Sequence, residues 1–188
     1  MLLLASALVA NICSAQNKPL VSTPRDSDRE AVLALPWGQF DQTEDSGWRM
    51  LSSEKKHLEA AKLIEAYLDR HHELSERQRA LSNFHAGMQY VFFARDHGGD
   101  PRAGIPDLEK AIVSGTGAGL PVDWNDLVIA TKAFLMGDKP TLLAVKERVA
   151  AMPPGAARWL KSPHDVDDLI NNLGKPYGTW WPKEEPKK

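Results

Sequence analysis

Apolar and polar residues follow one another along most of the chain with the three- to four-residue period of α-helices. In residues 53–71, for example, apolar side chains recur at this spacing and charged side chains fill most of the positions between them. Such a pattern places the apolar residues on one face of a helix, where they can pack against a core. Further helices are predicted over residues 28–35, 48–51, 75–95, 106–113, 124–136, 140–152, 156–160 and 162–173. No segment alternates strictly enough for a strand, so the pattern predicts an all-α fold of helix hairpins, with a loop at 37–47.

Residues with known capping preferences mark the predicted ends of several helices. Ser27 and Ser75 each stand three residues before a Glu or Gln, which is the capping-box pattern of a helix start. Asp123 directly precedes a helical segment and is predicted to cap it. Gly98 and Gly137 follow apolar helical segments and predict their ends, because glycine readily adopts the left-handed conformation that closes a helix. The helix between Ser75 and Gly98 is apolar on several sides, so we expect it to lie at the centre of the fold.

The first fifteen residues have the pattern of a cleavable signal peptide. An apolar run over residues 2–10 is followed by small residues up to Ala15, and the run is shorter than the roughly 20 residues that span a bilayer. We therefore expect an exported protein, periplasmic or secreted, with an extended leader at 16–26 and no transmembrane segment in the mature chain. A buried N-terminal helix and lipidation of Cys13 are the alternatives. Cleavage after Ala15 would remove Cys13, the only cysteine, and with it disulfide and thiolate chemistry.

Composition and charge narrow the class of protein. The chain has 188 residues, of which 43% are hydrophobic and 26% are charged, and its net charge is −2. These values are typical of a globular protein, and a single helical domain is predicted over residues 27–176. The balanced charge lacks the basic surface that binds a phosphate backbone, so no nucleic-acid partner is expected. Residues 177–188 form an aromatic and charged tail, whose aromatic side chains either fold back on the helices or contact a partner.

Helix pairs recur at an offset close to forty residues, because Phe92-Phe93, Gly99-Asp100-Pro101 and Leu108 are echoed by Phe134-Leu135, Gly137-Asp138, Pro140 and Leu143. The first pair also places small and large residues in a characteristic order, at Ala86, Gly87, Tyr90, Ala94, Gly104, Ile105, Leu108, Ala111 and Ile112. This arrangement resembles a tetratricopeptide repeat, and the resemblance covers roughly residues 48–152. It implies stacked antiparallel helix hairpins in a short right-handed superhelix whose concave face holds a protein or peptide. The segments 124–135 and 174–177 are also similar to uncharacterised exported bacterial proteins of this helical-repeat type. A generic irregular helical bundle is the alternative fold.

Five side chains are candidate binding residues, because they lie by rough position on the first helix of a predicted pair. They are Asn83, His85, Gln89, Trp124 and Asn125. The function that they predict is protein or peptide binding in the cell envelope. An extracytoplasmic hydrolase that uses His85 and nearby carboxylates is the alternative, and a structural envelope subunit is the third hypothesis. Whether the protein is an enzyme stays open at this point.

Metal and cofactor sites are not predicted. The six histidines include no pair at the three- or four-residue spacing with which one helix face binds a metal. The glycines at 115, 117 and 119 follow a predicted helix instead of a strand, so they indicate a linker and not a phosphate-binding loop. The aspartates at 165, 167 and 168 lie near the start of the last helix, which they favour through its dipole. We therefore expect no cofactor and no metal.

Overall fold

The computed structural model of the protein describes residues 26–114, 118–160 and 165–181. These residues form nine α-helices and one short 3-10 helix, and none of them lies in a strand. The α-helices are α1 (Asp26–Leu33), α2 (Trp37–Asp41), α3 (Gly47–Ser53), α4 (His57–Arg70), α5 (Glu76–His97), α6 (Ile105–Lys110), α7 (Trp124–Met136), α8 (Lys139–Ala150) and α9 (Val166–Asn171). The 3-10 helix, Pro101–Gly104, leads directly into α6. The all-α prediction is confirmed for this part of the chain, whereas the predicted signal peptide and residues 182–188 lie outside it.

The long helices lie close to where the periodicity predicts them. α7 has the predicted bounds, and Gly98 and Gly137 close α5 and α7 in the left-handed conformation, with φ of 76° and 72°. α4 begins later than predicted because the chain turns at Lys55, whose φ is 60°. α9 also begins later, since the Asp165 side chain accepts a hydrogen bond from a backbone N–H of its first turn. The turn at Lys55 and the capping side chain of Asp165 therefore set helix starts that periodicity alone does not predict.

The segment 37–47, predicted to be a loop, contains α2 and the first residue of α3. Phe40 of α2 is fully buried and stacks on Tyr67 of α4, with ring centroids 3.7 Å apart. A helix of five residues is too short to be stable alone, so packing of this kind stabilises it. Periodicity cannot indicate a helix of a single turn, which is why the prediction was wrong here.

Two of the predicted caps have other positions or roles. α1 already includes Asp26, so Ser27 lies inside the helix and does not start it. The Asp123 side chain makes no capping bond to α7. Its Oδ2 instead accepts the backbone N–H groups of residues 158–160, at 2.6–3.2 Å. Residues 156–160, predicted to be a short helix, are not helical, and the buried carboxylate of Asp123 satisfies the N–H groups of residues 158–160 in place of helical bonds.

The capping box at Ser75 is confirmed, because Ser75 Oγ accepts the backbone N–H of Gln78 at 3.3 Å and Gln78 Oε1 accepts that of Ser75 at 2.9 Å. We expect Ser75→Ala to lower the free energy of unfolding by about 1 kcal/mol, since a helix N–H loses its acceptor. Urea unfolding followed by circular dichroism measures this loss. Ser114→Ala, at an exposed serine outside the helices, is the control and should change stability by less than about 0.5 kcal/mol. Equal losses in the two variants would contradict a role for the capping box.

Two clusters of buried apolar residues form the core, and α5 contributes to both. One cluster joins α5 to α6–α9 and to Tyr177, and the other joins α5 to α1–α4. α5 contacts α4 as well as the 3-10 helix and α6, so its predicted central position is confirmed. Tyr177, Trp180 and Trp181 of the tail pack against Phe134 of α7 and Phe92 of α5. These aromatic side chains therefore fold back on the helices.

The backbones of α5 and the 3-10 helix approach one another closely at two glycines. A Cβ atom on Gly104 would lie 2.2 Å from the carbonyl oxygen of Gly87, and one on Gly87 would lie 2.8 Å from that of Gly104. No side chain fits between these segments, so both positions require glycine for lack of space. The contact belongs to one of the packed helix pairs of the fold. Of the helices in the described ranges, none combines the length and apolarity that would let it cross a membrane.

Candidate functional site

A groove of about 560 Å³ lies among α3, α5 and the tail, and we call it the His85 groove. Its volume falls in the range of roughly 300–1,000 Å³ that small ligands and side chains occupy in proteins. Its apolar walls consist of Trp48, Phe84, Met88, Phe92 and Trp181. Its polar lining consists of Glu44, Asp45, Arg49, Ser52, Ser53, His85 and Gln89. The groove thus combines large aromatic surfaces with several polar and charged groups, and ligand sites use both.

Asp41, the last residue of α2, supports His85 from behind. Its carboxylate is fully buried, and its Oδ1 lies 2.9 Å from Nδ1 of His85 and 2.9 Å from Nε1 of Trp48. The Gln42 side-chain amide bonds to Oδ2. Burial alone would raise the pKa of Asp41. The hydrogen bond from His85, the positive charge of His85 when the ring is protonated, and the bonds from Trp48 and Gln42 outweigh burial, so the pKa of Asp41 is lowered. The carboxylate is therefore ionised at neutral pH.

The ionised Asp41 determines which nitrogen of His85 carries the proton. A carboxylate only accepts hydrogen bonds, so Nδ1 of His85 must be the donor. In the uncharged imidazole, Nε2 then carries a lone pair and acts as an acceptor. No other described residue hydrogen-bonds to the His85 side chain, which lines the groove and is 20% exposed. His85 therefore offers Nε2 to a ligand as an oriented acceptor or as a base.

Gln89 lies one helical turn after His85 and is held from the opposite side by α4. Its Oε1 lies 2.8 Å from Nδ1 of His57, a buried histidine whose Nε2 is 3.4 Å from the Asp96 carboxylate. The Asp96 carboxylate is in turn bonded by the Arg95 guanidinium at 2.6 Å. Because its oxygen is engaged by His57, the Gln89 amide is held in one orientation at the edge of the groove. Two adjacent turns of α5 thus present two fixed polar groups.

The position of Asp41 depends on how α2 is attached to α5. The indole N–H of Trp37, at the start of α2, donates to Ser82 Oγ of α5 at 3.0 Å. The same hydroxyl lies 3.5 Å from Asp41 Oδ1 at the other end of α2. On the far side, Arg49 Nε donates to the backbone carbonyl of Asp41 at 2.5 Å. These contacts join α2 to α5 and α3, and they hold the carboxylate in place as an oriented His–Asp pair requires.

Charged groups at the groove come from α3 and the turn before it. Glu44 and Asp45 supply two exposed carboxylates, and Arg49 supplies one guanidinium. The Arg49 guanidinium carbon lies 4.5 Å from the centre of the Trp48 ring, a cation–π contact that holds it against this wall. With the ionised Asp41 behind His85, acidic groups outnumber basic ones among the described residues of this site.

The structure brings only part of the predicted binding set together. His85 and Gln89 both line the groove. Asn83 is 9% exposed and faces inward from α5. Trp124 is 1% exposed, and its indole N–H donates to the backbone carbonyl of Ala111 at 2.8 Å. The Asn125 amide bonds to both the backbone N–H and the carbonyl of residue 113, at 3.1 and 2.8 Å. Trp124 therefore belongs to the core, and Asn125 holds the loop after α6.

The residues that the sequence analysis did not identify are Asp41, Trp48 and Arg49. All three lie in or near the segment predicted to be a loop. The density of aromatic residues in this segment could have indicated them. Trp37, Phe40 and Trp48 fall within twelve residues, and exposed loops seldom carry so many large aromatic side chains. Buried aromatic residues there would have indicated that this segment packs on the helices and brings its carboxylates with it.

The described residues include no group of three or more histidine, cysteine, aspartate or glutamate side chains arranged to hold a metal ion. The site is thus built from one oriented histidine, an amide and a few charges on aromatic walls. In comparisons with known proteins, no protein family, curated protein or solved structure matches the chain.

Proposed function

We propose that this is an exported helical-repeat-like protein that binds a protein or peptide in the cell envelope through the His85 groove. The observation that carries the proposal is the groove itself, in which Asp41 orients His85 and His57 orients Gln89 beside four aromatic walls. Polar groups that are fixed before binding lose little entropy when a ligand arrives, so they contribute to affinity and specificity. Large aromatic side chains are favoured anchors for a protein partner.

Two further features support the cellular location and the repeat-like fold that we propose. The apolar run and small residues before position 16 favour export, to the periplasm or beyond the cell. The close contact of Gly87 with Gly104 supports the resemblance to tetratricopeptide repeats, in which small residues occupy the positions where two paired helices touch. We therefore include a short right-handed superhelix of stacked hairpins in the proposal, as the arrangement that would present the groove.

Blocking the groove tests the binding function. Ser53, an exposed residue at the end of α3, lines the groove, so Ser53→Trp should fill part of it without disturbing the core. We expect the unchanged protein, purified from its native envelope at moderate salt, to retain a partner that Ser53→Trp loses. Ser114→Trp places the same side chain on a surface away from the groove and should retain the partner. Equal retention by all three proteins, or no partner with any of them, would overturn the proposal.

A hydrolase is the second candidate, and the Asp41–His85 pair is the specific observation that favours it. Here His85 Nε2 takes a proton from a water molecule, and the resulting hydroxide adds to the carbonyl carbon of an ester or amide. The proton then passes to the leaving group as the bond to the carbonyl carbon breaks. Asp41 stabilises the imidazolium between these steps. No serine or other hydroxyl of the described residues hydrogen-bonds to Nε2, so water is the nucleophile in this scheme.

Turnover assays distinguish this second function from binding alone. A panel of aromatic and aliphatic acyl esters and amides is offered to the unchanged protein and to His85→Gln. For a hydrolase we expect turnover of at least one substrate class to fall about 100-fold or more in His85→Gln, because general-base catalysis contributes roughly 100- to 10,000-fold. Turnover that is absent, or equal in the two proteins, would exclude the hydrolase and leave the binding function in place.

A further inference from the structure

The groove combines an oriented acceptor with an excess of negative charge and aromatic walls. From this combination we infer that it binds a cationic side chain, lysine or arginine, presented by a peptide or protein segment, with the cation donating a hydrogen bond to Nε2 of His85. The inference rests on the proposed binding function and names the chemistry that the groove selects. Hydrogen bonding, charge and wall composition each favour a cation over other ligands.

The hydrogen-bonding capacity of His85 favours a donor. With Nδ1 committed to the buried Asp41 carboxylate at 2.9 Å, the uncharged ring can only accept at Nε2. A ligand carboxylate or carbonyl would meet this lone pair with a lone pair of its own. Lysine and arginine side chains are donors without acceptors, so they match the site. Charge-assisted bonds of this kind are also about twice as strong as bonds between neutral groups.

The charges around His85 favour a cation. Glu44 and Asp45 line the groove, and the ionised Asp41 lies directly behind the imidazole. Arg49 is the only cationic side chain among the described lining residues. It is committed to the Asp41 carbonyl and to the face of Trp48, so it offsets part of this charge from a fixed position. An arriving lysine would still meet more carboxylates than cations, whereas an arriving glutamate would be repelled.

The walls suit the rest of such a side chain. Phe92, two turns after His85 in α5, contacts Trp181 of the tail, and both side chains are partly exposed. Trp48 and Phe84, in contrast, are buried beside the imidazole, with ring centroids 5.0 and 6.4 Å from it. The partly exposed aromatic surfaces attract a cation and also cover the methylene groups of a lysine or arginine stem. A volume of about 560 Å³ accommodates one such side chain and its immediate neighbours.

Four matched peptides test the inference on the full chain. Each is an acetylated and amidated Phe-X-Phe tripeptide, in which X is lysine, Nε-acetyl-lysine, norleucine or glutamate. Binding is followed by titration while the ¹⁵N signals of the His85 imidazole are recorded by NMR. We expect the lysine peptide to bind about tenfold more tightly than the norleucine peptide and to shift the Nε2 signal. The affinity of the lysine peptide should fall as the salt concentration rises, because salt screens its attraction to the carboxylates. The glutamate peptide should bind most weakly.

Two variants connect this preference to the groove. Glu44→Gln combined with Asp45→Asn removes two exposed charges without touching the core, and should reduce the lysine preference at least threefold. His85→Phe removes the acceptor and should abolish most of it, with circular dichroism confirming that the variant folds. Equal or tighter binding of the norleucine or glutamate peptide, no binding of the lysine peptide, or a lysine preference that both variants retain would overturn the inference. In each of these cases, a partner that the unchanged protein retains and Ser53→Trp loses would still support the binding function.

Discussion

Asp41→Ala is expected to lower the free energy of unfolding by about 3 kcal/mol, the larger of the two main effects on stability that the structure predicts. The substitution leaves the indole N–H of Trp48 and Nδ1 of His85 without their shared acceptor, and Trp48 is 4% exposed. A buried donor without a partner costs about 1–3 kcal/mol, and the loss of α2 packing adds to this. Urea unfolding at pH 7 measures the change.

The acidity of Asp41 predicts how this loss depends on pH. Because the pKa of Asp41 is lowered in the folded protein from its ordinary value of 3.8, the carboxylate stabilises the fold fully above pH 3.8. That contribution is lost as the pH falls through the lower pKa of the folded state. The difference between Asp41→Ala and the unchanged protein should therefore narrow below pH 3.8. Asp45→Ala, at an exposed aspartate nearby, is the control and should cost less than about 0.5 kcal/mol. A loss in Asp41→Ala no larger than in this control would contradict the buried pair.

Gly104→Ala is expected to cost about 2–3 kcal/mol, because the new methyl group would lie 2.2 Å from the carbonyl oxygen of Gly87. One backbone must move away from the other, and the packing of Leu108 on α5 moves with it. The φ of Gly104 is −80°, which alanine adopts without strain, so any loss reports the close approach and not the backbone conformation.

A second glycine in a helix separates crowding from helix propensity. Gly38 in α2 has nothing within 4 Å of where its Cβ would lie, so Gly38→Ala should be neutral or stabilise the protein by up to about 1 kcal/mol. Urea unfolding of both variants measures the difference. Gly104→Ala as stable as Gly38→Ala would show that α5 and the 3-10 helix are not in direct backbone contact.

Local signals in the sequence predicted most helices but, of the residues that line the groove, only His85 and Gln89. Periodicity and glycine caps are properties of neighbouring residues, so α7, the end of α5 and the Ser75 capping box could be predicted. His85 and Gln89 were candidates because they lie on the first helix of a predicted pair. The partner of His85 could not be, since Asp41 lies 44 residues earlier and reaches it only when α2 packs on α5. Such pairings follow from tertiary packing, which no short window of sequence contains.

Asp123 is a second residue whose partners could not be predicted from its neighbours in sequence. The prediction that it satisfies backbone N–H groups was chemically sound, because a carboxylate before a helix commonly does so. The N–H groups that it accepts belong to residues 158–160 and not to the adjacent helix. Trp124 differs in kind: a large aromatic residue in a helix can equally well be a core residue or a surface anchor, and only its 1% exposure assigns it to the core.

The central claim is that the His85 groove contacts a protein or peptide partner in the cell envelope. Photocrosslinking in living cells tests it most directly, with a benzophenone amino acid placed at Ser53 inside the groove or at Leu143, an exposed apolar residue of α8. We predict that ultraviolet light will produce a discrete adduct between the partner and the protein carrying the label at Ser53, and none from Leu143. Adducts from Leu143 alone, or from neither position, would contradict the claim.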